Sequence, residues 1–134
     1  IYQQKGSLTA NVTFRASAYA KANGRRYLQV VWESDNGTAG LGCGYFDLQS
    51  GTVTDTEFTG GAQSASNATI AAAVNGFYKC SVDVRLSATT TAGYFILAFS
   101  DVATYGAPLD SGNAQYAGDG TSGIYLWRPK LVQL

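Results

Sequence analysis

Apolar and polar residues alternate with a period of two along most of the chain, and no stretch carries the 3.6-residue apolar stripe of an amphipathic helix. The elements are therefore expected to be strands. Val12 to Lys21 sets Phe14, Ala16, Ala18 and Ala20 against Arg15, Ser17, Tyr19 and Lys21, a half-buried strand with one face of small residues. Ala22-Asn23-Gly24 ends it, because Asn and Gly accept the positive φ of a tight turn. Arg26 to Glu33 places Leu28, Val30 and Trp32 on one face and Tyr27, Gln29, Val31 and Glu33 on the other, up to the turn Asp35-Asn36-Gly37. A strand around Gly42 to Leu48 passes through Gln49-Ser50-Gly51 into Thr52-Val53, a hairpin signature.

Gly60 to Asn67 is rich in Gly, Ser and Ala and reads as a surface loop, and Thr69 to Val74 is either a strand or a short helical turn. After Asn75-Gly76 the alternation is clearest: Tyr78, Cys80, Val82, Val84 and Leu86 face one way, with Lys79, Ser81, Asp83 and Arg85 on the solvated side. Gly93 to Ser100 sets Phe95, Leu97 and Phe99 against Tyr94, Ile96 and Ala98. A long loop, Asp101 to Ser122, precedes the last strand, Gly123 to Val132, in which Tyr125, Trp127, Pro129 and Leu131 share a parity that assigns Trp127 to the core.

About eight short strands separated by turns predict an all-β fold, a two-sheet antiparallel β-sandwich with the jelly roll as the preferred topology. In that topology the first long strand and the last share one sheet, while Arg26 to Glu33 and Gly93 to Ser100 are neighbours in the other. The 134 residues show no internal repeat and no boundary, so residues 1–134 are expected to form a single domain.

Composition narrows the function. There is no His, which excludes a Ser-His-Asp triad, a His general base and a His-ligated zinc site. Nine Lys and Arg balance nine Asp and Glu, so nucleic acid and anionic membranes are poor expected partners. Nine Tyr, six Phe and two Trp supply rings with apolar faces and polar tips, suited to neutral polar ligands. Cys43 and Cys80 lack C-x-x-C spacing and are expected either as two buried thiols or as a disulfide. The chain has no Met and no signal-peptide or membrane-spanning pattern, and is expected to be processed or a module of a longer protein.

Four blocks carry a family resemblance: Thr13-Phe14-Arg15-Ala16-Ser17-Ala18-Tyr19-Ala20-Lys21-Ala22; Tyr45-Phe46-Asp47-Leu48-Gln49-Ser50-Gly51-Thr52-Val53; Asn75-Gly76-Phe77-Tyr78-Lys79-Cys80-Ser81-Val82; and the closing Tyr116-Ala117-Gly118-Asp119-Gly120-Thr121-Ser122-Gly123-Ile124-Tyr125-Leu126-Trp127-Arg128-Pro129-Lys130-Leu131. Together they resemble the jelly-roll modules of phage tail and tail-fibre proteins. Those modules are similar in turn to carbohydrate-binding modules appended to bacterial polysaccharide-degrading enzymes. The resemblance implies a non-catalytic module that binds a polysaccharide or cell-surface glycan along a sheet or at rim loops. It also implies a location that is secreted, extracellular or virion-associated, with a parent enzyme or tail-protein chain as the protein partner. Related modules often hold a structural calcium through acidic groups near the termini, but Lys130-Leu131-Val132-Gln133-Leu134 offers no carboxylate, so no cofactor is expected. The alternative is a structural, assembly or receptor-binding module of a phage tail.

Sugars are recognised by rings stacking on their C–H faces while planar polar side chains satisfy hydroxyls. The candidate binding residues are Tyr27, Gln29, Glu33 and Tyr94, set on one outer sheet face by the alternation. Trp32 joins them if the register slips by one residue, and Tyr105 and Tyr116 are candidates from the long loop. No residue is assigned a catalytic or metal-binding role. The face carrying Arg15, Ser17, Tyr19, Lys21, Lys79, Ser81, Asp83 and Arg85 is expected to be solvated, its mixed charges pairing across strands.

Overall fold

The structure, a computed structural model, describes residues 2–5, 7–34, 41–59, 67–90, 92–100 and 120–134. Within them the strands are β1 (Tyr2–Lys5), β2 (Thr13–Asn23), β3 (Tyr27–Ser34), β4 (Leu41–Asp47), β5 (Thr52–Thr59), β6 (Asn67–Ala72), β7 (Tyr78–Arg85), β8 (Gly93–Ser100) and β9 (Gly123–Gln133). They form an antiparallel sandwich of two sheets, a five-stranded one in the order β1-β8-β3-β4-β5 and a four-stranded one in the order β6-β7-β2-β9. The first long strand and the last are neighbours in one sheet and β3 pairs with β8 in the other, the two adjacencies expected from the alternation and turns.

The core lies between the sheets and follows the alternation. Phe14, Ala16, Ala18 and Ala20 of β2 and Cys80, Val82 and Val84 of β7 face Leu28, Val30 and Trp32 of β3, Phe46 of β4, and Phe95 and Leu97 of β8 in one buried cluster. The alanine stripe keeps one layer thin where the opposite layer supplies large rings. At Gly42 the layers approach so closely that an added Cβ would lie 2.1 Å from Val84 Cγ2.

Local chemistry sets the ends of the strands. The β4–β5 turn closes with the Gly51 N–H donating to the Asp47 carbonyl at 2.9 Å, and Gly51 takes φ +70°, a left-handed value that glycine adopts without strain. The Asp47 carboxylate accepts from the backbone N–H groups of Gln49 and Ser50 and from both arms of the Arg26 guanidinium. The segment left open between strand and helix divides: β6 ends at Ala72, and a single 3-10 turn, Val74–Gly76, follows with Asn75 left-handed. β2 runs on through Asn23 instead of ending at Lys21, and the chain bends at Gly24, where φ is +80°. β1, for which the alternation gives no signal, pairs along the outer edge of β8. Tyr105, Tyr116, Asp119, the Asp35-Asn36-Gly37 turn and most of the two expected loops lie outside the described residues.

Candidate functional site

Two outer faces flank the core. On the five-stranded sheet the expected set does share a face: Gln29 pairs with Ala98, Val31 with Ile96, and Glu33 with Tyr94. Its middle, however, is buried. Gln29 is only 2% exposed and donates its amide N–H to the Tyr45 hydroxyl at 2.6 Å and to Cys43 Sγ at 3.2 Å, while Val31, Cys43, Tyr45 and Ile96 form a second apolar cluster. A buried carboxamide wants hydrogen-bond partners, and Gln29 finds them inside the protein, so the expectation that it meets a ligand is corrected. Tyr27 and Glu33 stand at opposite ends of β3, six residues or roughly 20 Å apart. Glu33 and Tyr94 are brought together; Tyr27 sits apart, half-buried, with the Arg26 guanidinium 5.1 Å from its ring centre.

Trp32 is 1% exposed and belongs to the main core, so it is not a platform in this register. Its indole Nε1–H is buried without an acceptor. Cys43 points out of the core and Cys80 into it, both as free thiols. Burial pushes each up to about 12; at Cys43 the Gln29 hydrogen bond opposes the rise, and the Asp55 and Glu57 carboxylates add to it. Neither is a nucleophile at neutral pH. Among the described residues no three Cys, Asp or Glu side chains converge as a metal site.

The other outer face, on the four-stranded sheet, holds what the alternation misplaces. Trp127 is 44% exposed and Tyr125 55% exposed, so the assignment of Trp127 to the core is overturned. The cause is a bulge in β9. Ser17 pairs with Lys130 but Tyr19 pairs with Trp127, so Arg128 and Pro129 together stand opposite Ala18, and Arg128 adopts φ +50°. One extra residue reverses the parity. Ile124 and Leu126 before the bulge and Leu131 after it pack on the core, while Tyr125, Trp127 and Lys130 turn outward. Pro129, which cannot donate to a ladder and belongs on edge strands or bulges, is the residue that could have revealed this from sequence.

Cross-strand pairing arranges the face in rows. Trp127, Tyr19 and Lys79 lie side by side across β9, β2 and β7; Tyr125 pairs with Lys21 in the row on one side of them, and Lys130, Ser17 and Ser81 form the row on the other. Beyond that row, Arg15 and Asp83 form a bidentate ion pair with both N···O distances 2.6 Å, the cross-strand pairing that the sequence predicts. The rings of Tyr19 and Trp127 pack at 5.2 Å between centroids with a tilt of 50°, and the Arg128 guanidinium lies 4.4 Å from the Trp127 ring centre. Ser17 and Ser81 thus lie between an aromatic row and an ion-pair row, and both are buried, so the expectation of a solvated face is corrected at that row, where small side chains sit beneath their longer neighbours. No protein-family model matches the chain, and no curated protein matches it.

Proposed function

We propose that this chain is a non-catalytic carbohydrate-binding module of jelly-roll type, with its sugar platform on the outer face of β9 and β2. The observation that carries the reading is the exposure of Trp127 and Tyr125, two residues apart on one face and so about 6.8 Å apart along the strand. Rings of this size normally enter the core; here a bulge holds them in water, where sugar C–H faces can stack on Tyr125 and pack against the exposed part of the indole that Arg128 and Tyr19 leave open. Tyr19 braces the indole from the next strand. The only carboxylate on this face among the described residues, Asp83, is engaged by Arg15, which favours binding without turnover. With the reading goes a location where polysaccharide is met, outside the cell or on a virion.

The test is affinity electrophoresis through gels cast with a panel of neutral and acidic polysaccharides. Wild-type protein is expected to be retarded by at least one polymer, weakly, because a shallow face exchanges water hydrogen bonds for sugar ones at small net gain. Trp127→Ala should stay folded with its melting temperature within a few degrees of wild type and lose about tenfold in affinity, whereas Trp32→Ala should lose about 3–5 kcal/mol of stability. No retardation by any polymer overturns the proposal. The exposed ring pair also fits the alternative, an assembly face in a phage tail. Light scattering separates the two: a sugar-binding monomer removes the alternative, and an oligomer that closes over Trp127 and ignores sugars establishes it.

A further inference from the structure

The chain has no net charge, yet among the described residues the charges unpaired by a carboxylate are unevenly placed between the two sheets. Lys21, Lys79, Arg128 and Lys130 all lie on the outer face of the four-stranded sheet, each in the Trp127–Tyr19 row or within one row of it. The only described carboxylate on that face, Asp83, is neutralised by Arg15. Of the other described carboxylates, Glu33 is on β3, Asp47 on β4, and Asp55 and Glu57 on β5, all in the opposite sheet. Rows on one strand are about 6.8 Å apart and neighbouring strands about 4.8 Å, so these cations stand within roughly one Debye length of the rings at 0.1 M salt. A ligand on the platform sits inside a positive field that net charge conceals.

We infer that the ligand is an acidic polysaccharide, a chain of sugars bearing carboxylate or sulfate groups; the inference rests on the reading of this face as a sugar platform. A neutral glycan would draw on the rings alone and leave the surrounding ammonium and guanidinium groups to water. An anionic sugar stacked beside Trp127 places its charge within reach of Arg128, whose guanidinium is held over the indole and keeps donors free at its edge. Lys130 on one side and Lys21 on the other extend the field along the direction a polymer would follow; Lys21 donates one hydrogen bond to the Asn75 carbonyl at 3.0 Å. Single-stranded nucleic acid shares the chemistry of rings and cations but suits the site less well. Binding to a single strand uses successive rings as stacking platforms, and with Arg128 over the Trp127 ring and Tyr19 against it this face leaves Tyr125 as its open ring, enough for one sugar and short of a row of bases.

Calorimetry and affinity electrophoresis with polygalacturonate, alginate and hyaluronan, each beside its carboxyl-reduced neutral form, with dextran sulfate beside dextran, and with oligo(dT), test the inference. At 50 mM salt at least one acidic polymer should bind tenfold or more tighter than its neutral form, and the advantage should collapse at 500 mM. Whether the carboxylate or the sulfate arm shows the gain identifies the anion. Lys130→Ala and Lys79→Ala should each weaken the acidic polymer about threefold, with the melting temperature and any binding to the neutral form unchanged. Neutral forms bound as tightly as acidic ones overturn this inference and leave the carbohydrate reading standing, whereas failure of every polysaccharide overturns both. Oligo(dT) bound as tightly as the best acidic glycan overturns it in favour of a nucleic-acid face.

Discussion

Asp47 is a carboxylate taken almost wholly out of water, and it keeps its charge because two backbone N–H groups and a guanidinium surround it. The Arg26 guanidinium, ahead of the smaller opposing effect of burial, holds its pKa well below the usual carboxylate range, with Ser50 and Gln49 adding to the depression. A depressed carboxylate contributes stability that is present in full above the ordinary Asp value of about 3.9 and is lost as pH falls below it towards the folded-state value. Asp47→Asn should therefore cost about 2–3 kcal/mol at pH 7, and its deficit against wild type should shrink as urea unfolding is repeated from pH 4 down to pH 2. A deficit constant over that range would show that the turn needs only a hydrogen-bond acceptor. The two thiols shift in the opposite direction, because for them desolvation, which favours the neutral form of either acid, prevails. Native protein at pH 8 is expected to consume no thiol reagent within minutes, and unfolded protein two equivalents; a fast-reacting thiol in the native state would show that the cluster around Cys43 opens.

At the scale of the element, β9 shows how a local irregularity redirects chemistry. Leu131 is fixed in the core, so the residues between it and Trp127 decide which way the indole points, and the bulge supplies the odd residue that sends it outward. Deleting Pro129 should aim Trp127 at the packed alanines of β2, where no volume exists, and cost several kcal/mol or prevent folding. Arg128→Gly keeps the bulge, relieves the left-handed arginine, and should leave urea stability within about 1 kcal/mol of wild type or raise it. If the deletion variant is as stable as wild type, the strand has another register available. Strands with a buried face, β2, β3, β7 and β8, were legible in sequence because period-two alternation is the direct trace of one face meeting a core. The parity of β9 was not, because counting by twos assumes an unbroken ladder and one extra residue inverts every inference downstream of it. Gln29 was misread for another reason. Alternation identified its face correctly, but it does not report whether a face is covered, and only the contacts to Tyr45 and Cys43 reveal that this one is closed at its centre.

For the whole molecule, the adjacency of β2 with β9 and of β3 with β8 ties together segments far apart in the chain, so the fold cannot be assembled from local hairpins alone. The sequence indicated these partnerships through fold class, while the separation of charge between the faces lay beyond composition, which counts residues without saying which way they point. Among the described residues that separation sets cations outside β9 and β2 and Glu33, Asp55 and Glu57 on strands of the opposite layer, and it predicts a polarity across the sandwich. Near neutral pH and at low ionic strength the protein should be retained on both sulfopropyl and quaternary-amine resins, and Lys79→Glu with Lys130→Glu should abolish retention on the first while strengthening it on the second; passage of wild type through both columns would refute the polarity. A dipole turns before it touches. Approaching the acidic polymer proposed as its ligand, a molecule with that polarity would arrive with its rings already facing the polymer, so that orientation, ordinarily a large part of the cost of a weak encounter, would be settled during diffusion.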